Sequence, residues 1–304
     1  MNVSRKTVLI ILAFFAIYVI WGSTYLLNKI AVSQLPPFFL AAVRFLVASI
    51  IIFGIAKSLG ISLTISKKQL LNTVIAGFLF LTLGNGLAVL ALKNMDSGFA
   101  ALEISAQPLV VLIMMRIFQG KRIKLMSYIG VVLGFIGIFL LVSQKEIISK
   151  EGQIFGMVLI FMCMLSWAYA SIFVGKATLP KNQFVNTGYQ MLTGGLMLTI
   201  VSVVLREPWS LPSTWKTDVQ WSMVALIVFG SIIAFTAFNF LLQEVSPEKV
   251  ATSTYVNPII ALILGWHVLN EQITTQSIIA AVVLLTGVYF INTKRVLKPR
   301  SIGR

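Results

Sequence analysis

Apolar residues in this chain come in long unbroken runs, not in the alternation of a half-buried strand or the three-to-four spacing of a surface helix. Ten runs are separated by short polar breaks, at roughly 8–28, 37–56, 70–91, 97–116, 125–143, 154–174, 184–205, 219–242, 250–269 and 275–292. Each is close to the about 20 residues that carry a helix across a bilayer. A membrane barrel would alternate apolar and polar positions instead. The pattern predicts an all-α integral membrane protein of ten transmembrane helices, with no loop longer than about a dozen residues. The first run follows Arg5 and Lys6, as a signal peptide would. It continues through Trp21 to Leu27 with no small-x-small cleavage pattern, so it reads as an uncleaved first span.

The runs divide into two sets of five. Placing Pro108 over Pro258, an offset of 150, lays Ser105–Val110 over Tyr255–Ile260 and Gly137 over Gly287. Upstream, an offset of 146 lays Trp21 over Trp167 and Arg44 over Gln190. Five is odd, so the second set must enter the membrane from the opposite face. This predicts two inverted five-helix repeats, 8–143 and 154–292, and a basic tail, 293–304. Inverted repeats are the architecture from which many secondary transporters derive alternating access.

Composition agrees. The chain of 304 residues is 58% hydrophobic and 11% charged, with mean hydropathy +0.94; a soluble domain carries about 25% charged residues. The net charge of +15 does not point to nucleic acid, because no basic face with interleaved aromatics is present. The basic residues sit in loops instead. With the N-terminus inside, the inner segments hold 17 Lys and Arg and the outer loops 6. That asymmetry predicts a multi-pass plasma-membrane protein with both termini cytoplasmic. Cys163 and His267 stand alone as their residue types, so no intrachain disulfide, cysteine cluster or histidine metal site is expected, and no cofactor.

Two charges lie inside spans, Arg44 and Glu103, and a buried intramembrane charge is a functional candidate by default. At 1.5 Å per residue, Arg44, Glu103 and Trp21 all lie about 10 Å below the outer boundary. They could line the outer half of a substrate cavity, with Arg44 and Glu103 paired or one of them facing a substrate charge; a structural ion pair, or an Arg44 that snorkels to the headgroups, is the alternative. The repeat offers a mirrored, uncharged set: Trp167, Gln190, Tyr255 and Asn257. Ser23, Tyr25 and Gln107 add hydrogen-bonding or aromatic groups. Pro108 and Pro258 each remove a backbone donor mid-span and loosen the helix about one turn upstream, as a hinge or as a passive kink. Gly130, Gly134 and Gly137 suit close helix packing, with dimerisation left open. No phosphate-binding loop, GxSxG or HExxH pattern occurs, so neither ATP-driven nor hydrolytic chemistry is indicated.

Several of these residues resemble a known family. Trp21-Gly22-Ser23-Thr24, Arg44, mid-span Pro108 and Pro258, Gly130-x3-Gly134-x2-Gly137 and Asn270-Glu271 after the ninth span are similar to the ten-span EamA type of the drug/metabolite transporter superfamily. Gly120-Lys121 stands where the family often has Gly-Glu, and Glu103 where an apolar or small residue is expected. The resemblance implies two EamA repeats and export of small metabolites, amino acids among them. The expected substrate-binding residues are Trp21, Ser23, Tyr25, Arg44, Glu103, Gln107, Trp167, Gln190, Tyr255 and Asn257, with Pro108 and Pro258 as hinges. The expected partners are a small-molecule substrate and membrane lipid, with an amino acid bound between Arg44 and Glu103. The alternatives are a transporter of another metabolite class, such as a sugar or drug-like compound, a channel, or a non-transporting integral membrane protein. An enzyme is not expected.

Overall fold

The computed structural model describes residues 5–120, 125–144 and 151–292; the basic tail 293–304 lies outside them. Ten helical spans run through the described residues: α1 (Arg5–Val32), α2 (Pro37–Ser58), α3 (Lys67–Asn94), α4 (Ser97–Gln119), α5 (Leu125–Val142), α6 (Gln153–Val174), α7 (Gln183–Val204), α8 (Thr217–Glu244), α9 and α10 (Thr275–Asn292). α9 is assembled from one α-turn, Pro247–Val250, a 3-10 turn, Ala251–Tyr255, and the helix Asn257–Leu269. α4 is interrupted in the same place, between Ser97–Ile104 and Gln107–Gln119. In both, proline occupies the first turn of the second half, where its missing N–H would have had no partner anyway. The interruption therefore falls just before Pro108 and Pro258, one turn upstream as their chemistry requires.

Short breaks set the helix ends. Pro36 and Pro37 stop α1 and start α2. Ser66 and Gln69 form a reciprocal capping box on α3, which satisfies two of the N–H groups that a helix start leaves open.

The helices pair across the repeats. α2 lies on α7, α5 on α10, and the first half of α4 on α9. α1 packs on α8 and α9, while α6 packs on α3 and α4. Each contact in one half thus has its counterpart in the other, as an inverted two-fold demands. Close approach at α5–α10 needs glycine on both sides: a Cβ at Gly137 would stand 2.7–2.9 Å from the Leu284 backbone and Cβ, and one at Gly287 2.7 Å from Gly130 O. Here the small residues of the fifth span serve contacts within the chain.

Candidate functional site

A cavity of about 1010 Å³ of empty space, its mouth included, lies between the two repeats. On α1, Trp21, Thr24, Tyr25 and Asn28 face it, at the spacing of one helix side. On α6, Cys163, Trp167 and Ser171 do the same. Arg44 and Phe45 come from α2, and Ile104, Gln107 and Val111 from α4. Ser253, Thr254 and Asn257 line it at the break in α9. The remaining walls are α3, through Leu81, Asn85, Ala88 and Leu92, and α8, through Gly230, Phe235 and Phe238. Sequence placed α7 rather than α3 and α8 around the cavity. The difference arises because the buried polar residues of α7 are bonded to one another and to Asn239 of α8 instead, through Asn186, Thr187 and Gln190.

α3 and α8 reach the cavity through a feature that hydropathy does not report. Each contains a π-helical stretch, Phe78–Asn85 and Leu226–Ile233, 148 residues apart. π-turns widen a helix and leave carbonyls off the regular ladder, and they recur at functional sites. Each stretch carries a glycine that receives the tryptophan of the other repeat. Trp21 Nε1 donates to Gly230 O at 3.3 Å, and a Cβ at Gly84 would overlap Trp167 Nε1 and Cδ1. The two indoles meet edge to face, centroids 5.5 Å apart at 87°. Phe238 touches both, at 5.0 and 5.2 Å, and Phe80 closes the cluster against Trp167 at 4.8 Å. Edge-to-face pairs of this kind are favoured by the ring quadrupoles.

The helix breaks are pinned in the same two-fold way. Gln107 Nε2 donates to Met164 O at 3.1 Å. Asn257, with its amide turned so that nitrogen faces the carbonyls, donates to Tyr18 O at 2.8 Å and Ser253 O at 3.2 Å. Tyr18 and Met164 are equivalent positions of α1 and α6, 146 residues apart.

Charge breaks the symmetry. Arg44 is 3% exposed and lines the cavity. Its Nε donates to Ser231 Oγ at 2.8 Å and its Nη1 to Asn28 Oδ1 at 3.4 Å. Asn28 Nδ2 is itself held by Thr24 O at 2.8 Å, which turns the oxygen toward the guanidinium. The guanidinium also lies 4.9 Å from the Phe45 ring centroid. A Cβ at Gly230 would come within 3.0 Å of Nη2, so glycine there keeps room beside the charge. Among the described residues Arg44 forms no salt bridge, and no acidic side chain lines the cavity. The arrangement is a buried cation with neutral partners, facing a space walled by aromatic rings. It can hold one anionic group of a ligand whose remainder is apolar or aromatic.

The other expected site residues divide. Trp21, Tyr25, Arg44, Gln107, Trp167 and Asn257 meet at the cavity. Ser23 bonds back to Ile20 O in its own helix at 2.7 Å. Gln190 is fully buried away from the cavity, donating to Asn186 Oδ1 at 2.9 Å and Asn239 Oδ1 at 3.2 Å. Glu103 is buried between α4 and α6, within electrostatic reach of Cys163; its Oε2 has no hydrogen-bond partner, and it is not paired with Arg44. The Tyr255 side chain lies outside the described residues. Sequence reasoning passed over Asn28, Ser231, Phe235 and Phe238. Asn28 stands two turns from Trp21 on the same face, and Gly84 and Gly230 stand 146 apart, signals that were present.

Comparison with known proteins adds the following. The sequence model of the EamA-like transporter family matches residues 8–143 and again 154–293. The chain is 35% identical over 295 residues to YedA of Escherichia coli (strain K12), described as an uncharacterized inner membrane transporter, with 94% of each chain covered. It is 22% identical to the transporter YoaV of Bacillus subtilis (strain 168), over 93% of this chain and 96% of that one. A solved crystal structure superposes with a TM-score of 0.70 at 18% identity, covering 95% of this chain and 97% of the other, a likeness of fold.

Proposed function

The chain belongs to the EamA-like transporter family, and from that premise we propose that this multi-pass membrane transporter exports small organic metabolites of the amino-acid class by alternating access. The observation that carries the reading is Arg44: a buried guanidinium with no carboxylate partner among the described residues, at the wall of an aromatic cavity between two inverted repeats. A substrate carboxylate would supply the missing counter-charge, in the bidentate geometry that guanidinium favours. The rings of Trp21, Trp167 and Phe238 would pack an apolar side chain and face an ammonium by cation–π attraction. That role is the one expected of Glu103 from sequence, and the separation of Glu103 from Arg44 favours the rings for it. Trp21, Tyr25, Gln107, Trp167 and Asn257 complete the proposed site. The breaks before Pro108 and Pro258 serve as its hinges. The basic residues of the inner loops support a cytoplasmic location for both termini.

The test is flux of labelled amino acids into inverted membrane vesicles. Saturable uptake, competed by amino acids with apolar or aromatic side chains, is the expected result. Competition by organic monocarboxylates but not by amino acids would shift the substrate to anions without an ammonium. Saturable flux of a polyanion or a sugar alone would refute the amino-acid class.

A further inference from the structure

Two helices of the first repeat take their N-terminal caps from the second. At the start of α2, Phe38 N and Phe39 N donate to Glu207 Oε1 and Oε2 at 3.2 and 2.7 Å, and Ser202 Oγ braces the carboxylate at 2.7 Å. At the start of α4, Ser97 N donates to Glu271 Oε1 at 2.7 Å, and Ser97 Oγ and Gly98 N donate to Oε2 at 3.0 Å each. A carboxylate suits this place because the helix dipole and the free N–H groups of a first turn both favour an anion. Both glutamates follow a left-handed residue that ends the preceding helix, Arg206 and Asn270, each at φ 54°. Both lie on the face proposed to be extracellular.

Among the described residues, no cap crosses between repeats at the equivalent positions on the cytoplasmic face. Glu207 corresponds to Ile61, which follows left-handed Gly60 in the same turn. The donors that match Phe38 and Phe39 are Phe184 and Val185, and Asn182 of the same helix already accepts from both, at 3.0 and 3.3 Å; its counterpart in the first repeat is Pro36, which has no acceptor side chain. Glu271 corresponds to Lys121 in sequence, Ser97 to Pro247, which has no N–H to satisfy. Room for the Glu271 carboxylate exists because residue 265 is glycine: a Cβ there would overlap Oε2 and stand 2.9 Å from Ser97 Oγ. The counterpart of Gly265 is Met115, a buried side chain where the second repeat has none.

We infer that Glu207 and Glu271 form a two-point latch that ties the repeats together at the outer end of the cavity, with no helix-capping equivalent at the inner end among the described residues, so that the resting transporter is closed outward and loads from the cytoplasm. Rocking the repeats apart at the outer end strips five donors of their acceptors. Rocking them apart at the inner end strips none of the matching ones: the ties there are the bonds from Gln69 Nε2 to Leu179 O, Asn72 Nδ2 to Thr178 O and Tyr189 OH to Leu63 O and the exposed Lys6–Glu244 pair, none of which caps a helix, and an exposed ion pair contributes about 0–1 kcal/mol. The inference rests on the alternating-access reading and on the orientation of the termini.

The test uses the full chain with a single reporter cysteine, Ala88→Cys in a Cys163→Ala background. Ala88 lines the outward half of α3. Labelling by a membrane-impermeant maleimide is timed from outside in right-side-out vesicles and from the cytoplasmic face in inverted ones. The parent should label faster from the cytoplasmic face. Glu207→Ala with Glu271→Ala should raise the outside-to-inside rate ratio about a hundredfold, about tenfold for each of the two capping contacts removed. Gly265→Ala should shift the ratio the same way while leaving Glu271 in the chain. Thermal unfolding in detergent identifies folded variants; if the double alanine variant does not fold, Glu207→Gln with Glu271→Gln and Gly265→Ala decide the matter. An unchanged ratio in folded variants, or a shift toward inside labelling, overturns the latch. A reporter that labels from neither face, or that saturating transported substrate does not protect, instead overturns the transport reading on which the latch rests.

Discussion

Replacing Arg44 by methionine separates a binding role from a structural one, because the two roles pull on different observables. The side chain keeps most of its length and loses its charge. On stability, the change removes the Nε to Ser231 Oγ bond of 2.8 Å, and a hydrogen bond to a charged group contributes about 1.5–3 kcal/mol. It also removes a buried cation whose desolvation costs several kcal/mol. These terms oppose each other, so the folded state should shift by no more than about 2 kcal/mol. On binding, a substrate carboxylate loses its partner, and truncating one side of a buried charge pair costs about 2–5 kcal/mol. At about 1.4 kcal/mol per decade, KM should rise roughly 30- to 3000-fold. Arg44→Lys should fall between, since ammonium keeps the charge but not the planar fork. The assay is labelled amino-acid flux in inverted vesicles, paired with tryptophan-fluorescence melting of the purified protein. A substrate ester or amide, without the negative charge, should lose little in either variant. If Arg44→Met is folded and its KM for the carboxylate stays within about threefold, the anchoring argument is wrong. Loss of folding in both Met and Lys variants would make Arg44 a strut and refute it equally.

Other consequences can be checked in the same system. Gly84→Ala drives a methyl group into Trp167 and should cost about 1–3 kcal/mol of stability by overpacking and sharply reduce flux, whereas Gly54→Ala, with nothing within 4 Å of its Cβ, should leave both intact; melting and flux curves of the pair suffice. Gln190→Ala breaks the Asn186–Gln190–Asn239 network and should lower stability by about 1–3 kcal/mol with KM unchanged; a KM effect at unchanged stability would return Gln190 to the binding site. A reporter fused after Arg304 should read as cytoplasmic, and an external signal there would contradict the orientation drawn from the loop charges.

The spans were legible because continuous apolar length is a direct consequence of bilayer thickness. The inversion was legible because an odd helix count per repeat allows nothing else. Arg44 stood out because an intramembrane charge is costly. The limits have equally physical causes. Rise per residue places Arg44, Glu103 and Trp21 at one depth, but depth is only one coordinate. The direction a side chain takes around its helix depends on packing against neighbours, and that turned Glu103 toward α6 and Gln190 toward α8. The π-helical stretches of α3 and α8 were hidden for a similar reason: Phe78–Asn85 and Leu226–Ile233 are more apolar than their flanks, which reads as an ordinary span centre, and only Gly84 and Gly230 mark them. The capping role of Glu271 was half visible, since Asn270-Glu271 resembled a family motif without showing what it touches.

The paired features and the unpaired ones bear on separate parts of a transport cycle. Trp21 with Trp167, Gly230 with Gly84, and Asn257 with Gln107 give each repeat the same contacts with the other. On the proposed reading, exchanging the roles of the repeats then interconverts two states built from the same interactions, with little free-energy difference from packing alone. Whatever bias exists must come from positions where the repeats differ. Arg44 opposite Gln190 places charge recognition on one side of the midplane. Glu207 opposite Ile61 and Glu271 opposite Lys121 place the capping carboxylates on one face. A net difference of about 2.7 kcal/mol, the scale of two such contacts, would leave the outward-open state near one molecule in a hundred. Substrate need only bind the outward-open state better by a similar amount to even the populations. Removing the glutamates should therefore speed outward opening while weakening the dependence of opening on substrate, and the same maleimide rates measured with and without substrate would register both effects.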